Sequence, residues 1–201
     1  PGTARVNREI QSMFNKRRMA RGLLMCAGVG MQVSALAFPV QGEKFLVAET
    51  LDGQHTRVGR VTFTPAGLGQ ATVRVHMDPA VMRDHFLSMR EFKCLAAPQE
   101  VSCHVPYPYA SPATVSVQNL QWLDHHLLFL YKKPADFGAK LWNGIIYRWR
   151  LTPTGLEGLP QAVDLNLISA PPDRLDVPPY GPNESEPFAP DARWIRKMRI
   201  E

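Results

Sequence analysis

The chain has 201 residues, of which 45% are hydrophobic, and a formal net charge of +5. The excess positive charge lies near the N-terminus, since residues 38–201 contain 17 Lys and Arg and 17 Asp and Glu. Nucleic-acid binding needs a concentrated basic surface, so this balance argues against it. One basic cluster remains, formed by Arg193, Arg196, Lys197 and Arg199, and a solvated tail accounts for it equally well.

Residues 13–37 (MFNKRRMARGLLMCAGVGMQVSALA) predict an export signal. Cations precede an uncharged apolar run that ends in Ala35-Leu36-Ala37, the small-x-small pattern that signal peptidase cleaves. The run over residues 22–37 is shorter than the roughly 20 residues of a membrane-spanning helix, so a permanent anchor is the weaker alternative. On this interpretation residues 1–12 are an artefact upstream of the true start, and the mature protein is periplasmic or secreted from a bacterium.

Residues 38–170 are of a size and pattern expected for one β-rich domain. A first strand is predicted over residues 44–50. Val61 and Phe63 alternate with polar residues, as do Val73 and Val75 after a glycine-rich turn, which predicts an antiparallel hairpin. The same alternation puts His76 on the outer face of this hairpin.

The hydrophobic period changes after Asp78-Pro79. Asp is a favoured N-cap, and Pro is favoured at the first helical position. Apolar residues then recur at spacings of three and four, as Met82, Phe86, Met89 and Phe92 do. This pattern predicts one amphipathic helix over about residues 79–92.

Cys94 and Cys103 are the two cysteines that remain after a leader is removed. An even pair in an oxidising compartment predicts a disulfide. Two alternatives stay open at this point: free thiols, or a metal site with His104 as a third ligand. The chain has no CxxC spacing, which argues against the metal site.

Residues 106–109 (PYPY) predict a stiff extended segment, because each proline disfavours helix in the residue before it. Tyr107 and Tyr109 there are candidate contact residues for a ligand or partner. The alternative is an edge segment that lies on the core with its hydroxyl groups hydrogen-bonded.

Asp124-His125-His126 lies between predicted strands at residues 114–117 and 127–131. Adjacent histidines beside an acid suggest zinc or acid–base chemistry. Neighbouring strand residues point to opposite faces, however, so both could not easily bind one ion. No metal or other cofactor is therefore predicted, and no GxSxG or HExxH motif supplies catalytic residues.

Asn143-Gly144 predicts a type I′ hairpin turn, followed by strands over residues 145–151, 156–159 and 163–168. The count is then about eight strands joined by short turns. An antiparallel barrel or a two-layer sandwich would protect the edges of such a sheet. Trp142 and Trp149 are further candidate contact residues.

Residues 171–190 contain seven prolines, which exclude helix and central strand and predict an extended arm. In the final segment, residues 192–201, Trp194, Ile195 and Met198 recur at helical spacing. We expect that segment to dock on the domain or on a partner.

Residues 141–158 (LWNGIIYRWRLTPTGLEG) resemble the central hairpin of small lipocalin-like periplasmic domains. Residues 86–95, 103–109 and 129–148 are similar to uncharacterised exported proteins of proteobacteria. The resemblance implies export and a compact domain, and it implies no catalytic residues.

Three functions follow from these features. The first is an exported binding module that holds a small apolar ligand in its interior or an envelope protein on Tyr107, Tyr109, Trp142 and Trp149. The second is a structural subunit of an envelope complex, tethered by an uncleaved leader. The third is a small hydrolase that uses a lone histidine, His104, His125 or His126, although no nucleophile–base–orienter set is recognisable.

Overall fold

A computed structural model of the chain describes residues 37–87 and 90–201. The predicted export signal, residues 13–37, and residues 1–12 therefore lie outside the described residues, apart from Ala37. The strands are β1 (Gly42–Thr50), β2 (His55–Pro65), β3 (Gln70–Met77), β4 (Arg83–Phe86), β5 (Glu91–Ala96), β6 (Val101–Val105), β7 (Thr114–Ser116), β8 (Leu128–Lys132), β9 (Gly144–Thr152), β10 (Gly155–Val163), β11 (Glu186–Pro187) and β12 (Ile195–Ile200). The α-helix α1 is Gln121–His126, and two 3-10 helices are Leu165–Ile168 and Pro182–Glu184.

All strand pairs are antiparallel and belong to one sheet, in the order β4-β5-β6-β8-β9-β10-β12-β1-β2-β3-β7, with β11 beside β10. The mainly antiparallel β fold is thus confirmed. The end strands β4 and β7 do not pair with each other, so the sheet is open and the barrel, one of the two predicted forms, is not closed. The count of eight strands is too low, because β4, β5, β6, β11 and β12 were not predicted. The predicted strand over residues 163–168 is wrong, since Leu165–Ile168 form a 3-10 helix after β10 ends at Val163.

The open sheet curls around its core. Helix α1 contacts β9 and also β3 and β7, although β10, β12, β1 and β2 lie between β9 and β3 in the sheet. Aromatic side chains fill the enclosed space: Phe38 stacks on Phe63 with ring centroids 5.6 Å apart, and Phe129 meets the edge of Tyr147 at 5.7 Å. One apolar cluster runs through the described residues.

The predicted helix over residues 79–92 is wrong. Asp78 begins a turn, since its backbone oxygen accepts a hydrogen bond from the Met82 N–H at 2.7 Å. The chain then extends into β4, which pairs with β5 from Arg83 opposite Cys94 to Phe86 opposite Glu91. Pairing with a neighbouring strand therefore overrides the helical spacing, which is a weak preference on its own.

The proline-rich residues 171–190 do not form the predicted extended arm. Tyr180 is fully buried, and β11 pairs with β10. The chain then enters the middle of the sheet as β12, between β10 and β1. This segment is therefore part of the folded body.

The helical spacing of apolar residues in the last ten residues belongs to a strand, β12, and a β-bulge explains it. The register between β1 and β12 shifts between Glu49 and Thr50, which leaves Arg196 as an extra residue. Strand residues three apart normally face opposite sides. The bulge lets Ile195 and Met198 both point into the core, where each is buried.

Asn143 and Gly144 do not form the predicted type I′ turn, because neither has the positive φ that both central residues of that turn need. The Asn143 backbone oxygen accepts a hydrogen bond from the Tyr131 N–H at 3.0 Å, and its side-chain amide donates to the Tyr131 oxygen at 3.2 Å. Asn143 thus extends the pairing of β8 with β9, and residues 133–143 form a longer loop.

Candidate functional site

Helix α1 carries the three polar residues that the sequence brings together, Asp124, His125 and His126. Successive helical residues point about 100° apart, so the three side chains reach three different partners. The structure therefore separates these groups rather than converging them on one site.

The Asp124–Arg148 ion pair fixes α1 to strand β9. Nη1 of Arg148 donates to Oδ2 of Asp124 at 2.8 Å, and Oδ1 of Asp124 accepts from the Trp149 backbone N–H at 3.4 Å. The guanidinium also donates to the backbone oxygens of Tyr180 and Gly181 and to the side-chain oxygens of Ser185 and Gln161. These contacts use all five guanidinium N–H donors, so Arg148 has none left for a ligand.

An open groove of about 590 Å³ lies beside this ion pair and includes Asp124, Arg148, Trp149 and Gln161 in its wall. Burial raises the pKa of Asp124 to about 7, because the loss of hydration outweighs the hydrogen bond from Arg148. Since Arg148 is fully engaged, the groove offers an anion no free guanidinium. We interpret it as the seam where the C-terminal segment joins the sheet.

His125 is a buried structural residue. Its Nδ1 donates to the Gln121 backbone oxygen at 2.7 Å, and its Nε2 accepts from the Tyr180 backbone N–H at 2.9 Å. The imidazole also stacks on the Tyr180 ring with centroids 5.3 Å apart. Burial lowers the pKa of His125 to about 4, so the ring is neutral at neutral pH and holds the proline-rich segment in place.

His126 forms the one serine–histidine contact among the described residues. Its Nε2 lies 3.2 Å from Oγ of Ser111, and its backbone oxygen accepts from Nε2 of His104 at 3.0 Å. Burial lowers the pKa of His126 and lowers that of His104 to about 4.

This contact does not amount to a catalytic triad. Within residues 37–87 and 90–201, Nδ1 of His126 has no hydrogen-bond partner, so no carboxylate orients the ring. A nucleophilic serine needs both a base and a group that holds the base. The Ser111–His126 pair supplies only the first.

Cys94 and Cys103 lie directly opposite each other on β5 and β6, with their sulfur atoms 1.98 Å apart. The predicted disulfide is confirmed, and the free-thiol and metal alternatives for this pair are excluded. In the part of the chain that the structure describes, no group of three or more His, Cys, Asp or Glu is arranged to hold a metal ion.

Three of the four candidate contact aromatics lie in the core or against it. Tyr107 and Trp149 are buried, and Tyr109 donates from its hydroxyl to the Ile168 backbone oxygen at 2.9 Å. Tyr107 meets the edge of Trp122 at 5.8 Å. Tyr107 and Trp149 therefore expose little surface to a partner.

Trp142 differs, because it is 65% exposed. It borders a groove of about 330 Å³ together with Leu167, which is 53% exposed. The groove also includes Asp164, Glu184 and Glu186. Asp164 caps a 3-10 helix by accepting from the Asn166 N–H at 2.9 Å, whereas Glu184 and Glu186 have no cationic partner among the described residues.

A further pocket of about 330 Å³ lies over β1, β2 and β3. Its wall includes Phe45, Arg57, Arg60, His76 and Asp78. Sequence reasoning did not group these residues, because they come from three strands. The one available signal was the alternation that placed His76 on the outer face, which the structure confirms.

No protein-family model, curated protein or solved structure matches this chain. Within residues 37–87 and 90–201, no helix has both the length and the apolar character needed to cross a bilayer.

Proposed function

We propose that this protein is an exported, non-enzymatic binding module of the bacterial envelope, and that it holds a partner protein on the groove around Trp142. The observation that carries the proposal is the exposure of Trp142, 65%, beside the half-exposed Leu167. A large aromatic side chain is costly to leave in water. Trp is also enriched among the residues that dominate protein–protein binding energy.

The charge of the groove defines the chemistry of the partner. Glu184 and Glu186 border the same groove as Trp142. Carboxylates at the rim of an apolar patch favour a partner whose apolar anchor is flanked by Lys or Arg, because complementary charges steer association and fix orientation. Binding should therefore weaken as the salt concentration rises.

The interior of the sheet supports a surface interaction better than an enclosed ligand. Tyr147, Tyr180 and Phe129 are among the largest fully buried side chains and occupy the space in which a small apolar ligand would lie. Close-packed interiors leave few voids larger than a water molecule. The partner-protein form of the binding hypothesis is therefore the one we propose.

Export is supported by the leader-like residues 13–37 and by the Cys94–Cys103 pair, which is compatible with an oxidising compartment. N-terminal sequencing of protein from native cells tests this part of the proposal. We expect a mature N-terminus at Phe38. A retained leader would instead favour the tethered structural subunit, and full alkylation of both cysteines in untreated cells would contradict export.

Photo-cross-linking in the native host tests the surface. A benzophenone amino acid replaces Trp142 in one strain and Leu68 in a control strain, since Leu68 is 91% exposed at a hairpin tip. We expect one discrete adduct from position 142 and none from position 68. With the purified partner, Trp142→Ala should weaken binding by about thirtyfold, which corresponds to about 2 kcal/mol.

The Glu184→Gln and Glu186→Gln variants test the charge argument, and each should weaken binding less than Trp142→Ala does. Equal cross-linking from positions 68 and 142 would contradict the proposed surface. So would unchanged affinity of the Trp142→Ala variant for the cross-linked protein.

A further inference from the structure

The pocket over β1, β2 and β3 brings together two arginines and a histidine from two neighbouring strands. Arg57, Arg60 and His76 line it, and all three are exposed. Its volume of about 330 Å³ is at the lower end of the range of small-molecule sites.

A β-bulge in β2 places both arginines on the same face of the sheet. Leu46 pairs with Gly59 and Val47 pairs with Arg57, so Val58 is an extra residue in the register. Residues 57 and 60 would lie on opposite faces of a regular strand, because side chains alternate. The extra residue reverses the alternation once and brings both guanidinium groups over Phe45.

The strand register aligns the remaining members of the pocket. Phe45 pairs with Arg60, and Arg60 pairs with His76, so these three side chains form a row across β1, β2 and β3. The guanidinium carbon of Arg57 lies 4.1 Å from the centroid of the Phe45 ring, and that of Arg60 lies at 5.8 Å. Stacking on Phe45 restricts both arginines before any ligand binds.

Arg57 carries an uncompensated charge. No carboxylate in the described part of the chain pairs with Arg57, whereas Arg60 pairs with Glu43 at 3.1 Å. Both side chains of that pair are more than half exposed, and such a pair contributes little and is readily exchanged. Arg74 adds a further cation on the same face of the sheet. It lies in the row next to Phe45, Arg60 and His76, because Arg74 pairs with Thr62 and Thr62 pairs with Glu43.

Gly59 contributes a wall of the pocket that no other residue could form. A Cβ at this position would lie 2.3 Å from the His76 backbone oxygen, so a side chain would force β2 and β3 apart. The glycine therefore keeps β2 and β3 close together where they form the floor of the pocket.

We propose that this pocket binds a phosphoryl group that carries a hydroxylated substituent. A tetrahedral oxyanion presents several oxygens, which Arg57 and Arg60 can bind at once through charge-assisted hydrogen bonds. Asp78 lines the same pocket, and its Oδ1 already accepts from the Ala80 N–H at 2.9 Å. Its second oxygen has no partner among the described residues and accepts a hydrogen bond from a ligand hydroxyl.

The shared chemistry of phosphate plus hydroxyl occurs in soluble sugar phosphates and in glycerol-bearing lipid headgroups. Isothermal titration of the full chain with glucose 6-phosphate tests the first source. Co-sedimentation with phosphatidylcholine vesicles, with and without phosphatidylglycerol, tests the second. Glucose and inorganic phosphate serve as partial ligands, and each should bind more weakly than glucose 6-phosphate.

The variant Arg57→Gln should weaken binding at least tenfold, because it removes the unpaired guanidinium. Arg83→Gln is the matched control: Arg83 is also an exposed strand arginine without a carboxylate partner in the described residues, and it lies on β4 outside the pocket. Arg83→Gln should leave binding within about twofold. Arg57→Lys retains the charge without the stacked plane, so it should give an intermediate loss with an unchanged melting temperature.

The site is supported if glucose 6-phosphate or phosphatidylglycerol vesicles bind saturably and if this binding is lost in the Arg57→Gln variant but not in the Arg83→Gln variant. The probe that binds then identifies the source of the phosphoryl group, a soluble sugar phosphate or a lipid headgroup. The proposal is overturned if no phosphate-bearing probe binds saturably below about 10 mM. It is also overturned if Arg57→Gln and Arg83→Gln weaken binding equally, which would indicate non-specific attraction. None of these outcomes depends on the Trp142 groove.

Discussion

Replacing Arg148 with Met should destabilise the fold by about 3 to 5 kcal/mol, which is typical of leaving one partner of a buried ion pair unpaired. The side chains of Arg148 and Asp124 are 20% and 4% exposed, so solvent screens the pair only weakly. The substitution also removes the donors that bind the Tyr180 and Gly181 backbone oxygens, which fix the C-terminal segment to the sheet.

The measurement is urea unfolding followed by tryptophan fluorescence under oxidising conditions, so that the disulfide stays intact. Arg150→Met is the matched control, because Arg150 lies two positions along the same strand and also pairs with an acid, Glu157, at 2.7 Å. The Arg150 side chain is 70% exposed, and exposed pairs of this kind are worth less than about 1 kcal/mol. We therefore expect at least a threefold difference in lost stability between the two variants.

The loss in the Arg148→Met variant should also depend on pH. Without the guanidinium, the pKa of the buried Asp124 carboxyl rises further above its unfolded value of 3.8, so the folded state takes up a proton that the unfolded state releases. The difference in stability from the wild type should be largest above about pH 7 and should shrink as the pH falls through about 7, below which Asp124 is protonated in both folded proteins. A loss of less than about 1 kcal/mol, or one equal to that of Arg150→Met, would refute the structural role of this pair.

Three further outcomes are expected. Burial lowers the pKa of His104 to about 4, so the unfolded chain binds more protons than the folded chain between about pH 4 and 6.5. The melting temperature of the wild type should therefore fall as the pH is lowered through this window. The fall should be less steep in the His104→Asn variant, which lacks this titrating group. Replacing Cys94 and Cys103 with Ala should lower the free energy of unfolding by about 2 to 3 kcal/mol, because a short loop is no longer closed in the unfolded chain; a loss below about 1 kcal/mol in urea titrations would contradict this. Gly155→Ala should cost about 2 to 3 kcal/mol, since φ is +149° and a Cβ would lie 2.0 Å from a backbone oxygen of β12. Gly53→Ala, with positive φ but open space around it, should cost only about 1 kcal/mol, and equal losses would argue against the steric explanation.

Local patterns in the sequence predicted the parts of the fold that depend on local order. The alternation at Val61 and Phe63 and at Val73 and Val75 identified the β2–β3 hairpin, in which Phe63 pairs with Val73. Strand alternation reflects which residues face the core, and that pattern is visible without knowledge of the partner strand.

The predictions failed where bulges or distant pairing change the local pattern. Residues 79–92 have helical spacing, yet residues 83–86 form β4 because β5 lies beside them. Ile195 and Met198 have helical spacing because a bulge at Arg196 lies between them. A bulge shifts the alternation of buried and exposed residues by one position, so the sequence of a bulged strand resembles that of a helix more than that of a regular strand.

The candidate sites show the same contrast between what local sequence predicts and what the folded chain decides. Trp142 was predicted as a contact residue, and the structure leaves it exposed. Tyr107 and Trp149 were predicted with it, but only three-dimensional packing decides which aromatic side chains the core covers. Arg57 and Arg60 gave no signal, because the bulge at Val58 that brings them together depends on the register between β1 and β2.

The sequence by itself determined that this is a mainly antiparallel β protein and made a Cys94–Cys103 disulfide the expected pairing, since side-chain alternation and cysteine number are properties of the chain alone. The tertiary structure decided that the sheet stays open, that β12 occupies its middle, and that Arg148 fastens the proline-rich segment to it. Those features arise from hydrogen bonds between residues up to about 150 positions apart, such as Arg196 with Glu49. No local window of sequence contains both partners of such a bond, which is why only the folded chain reveals them.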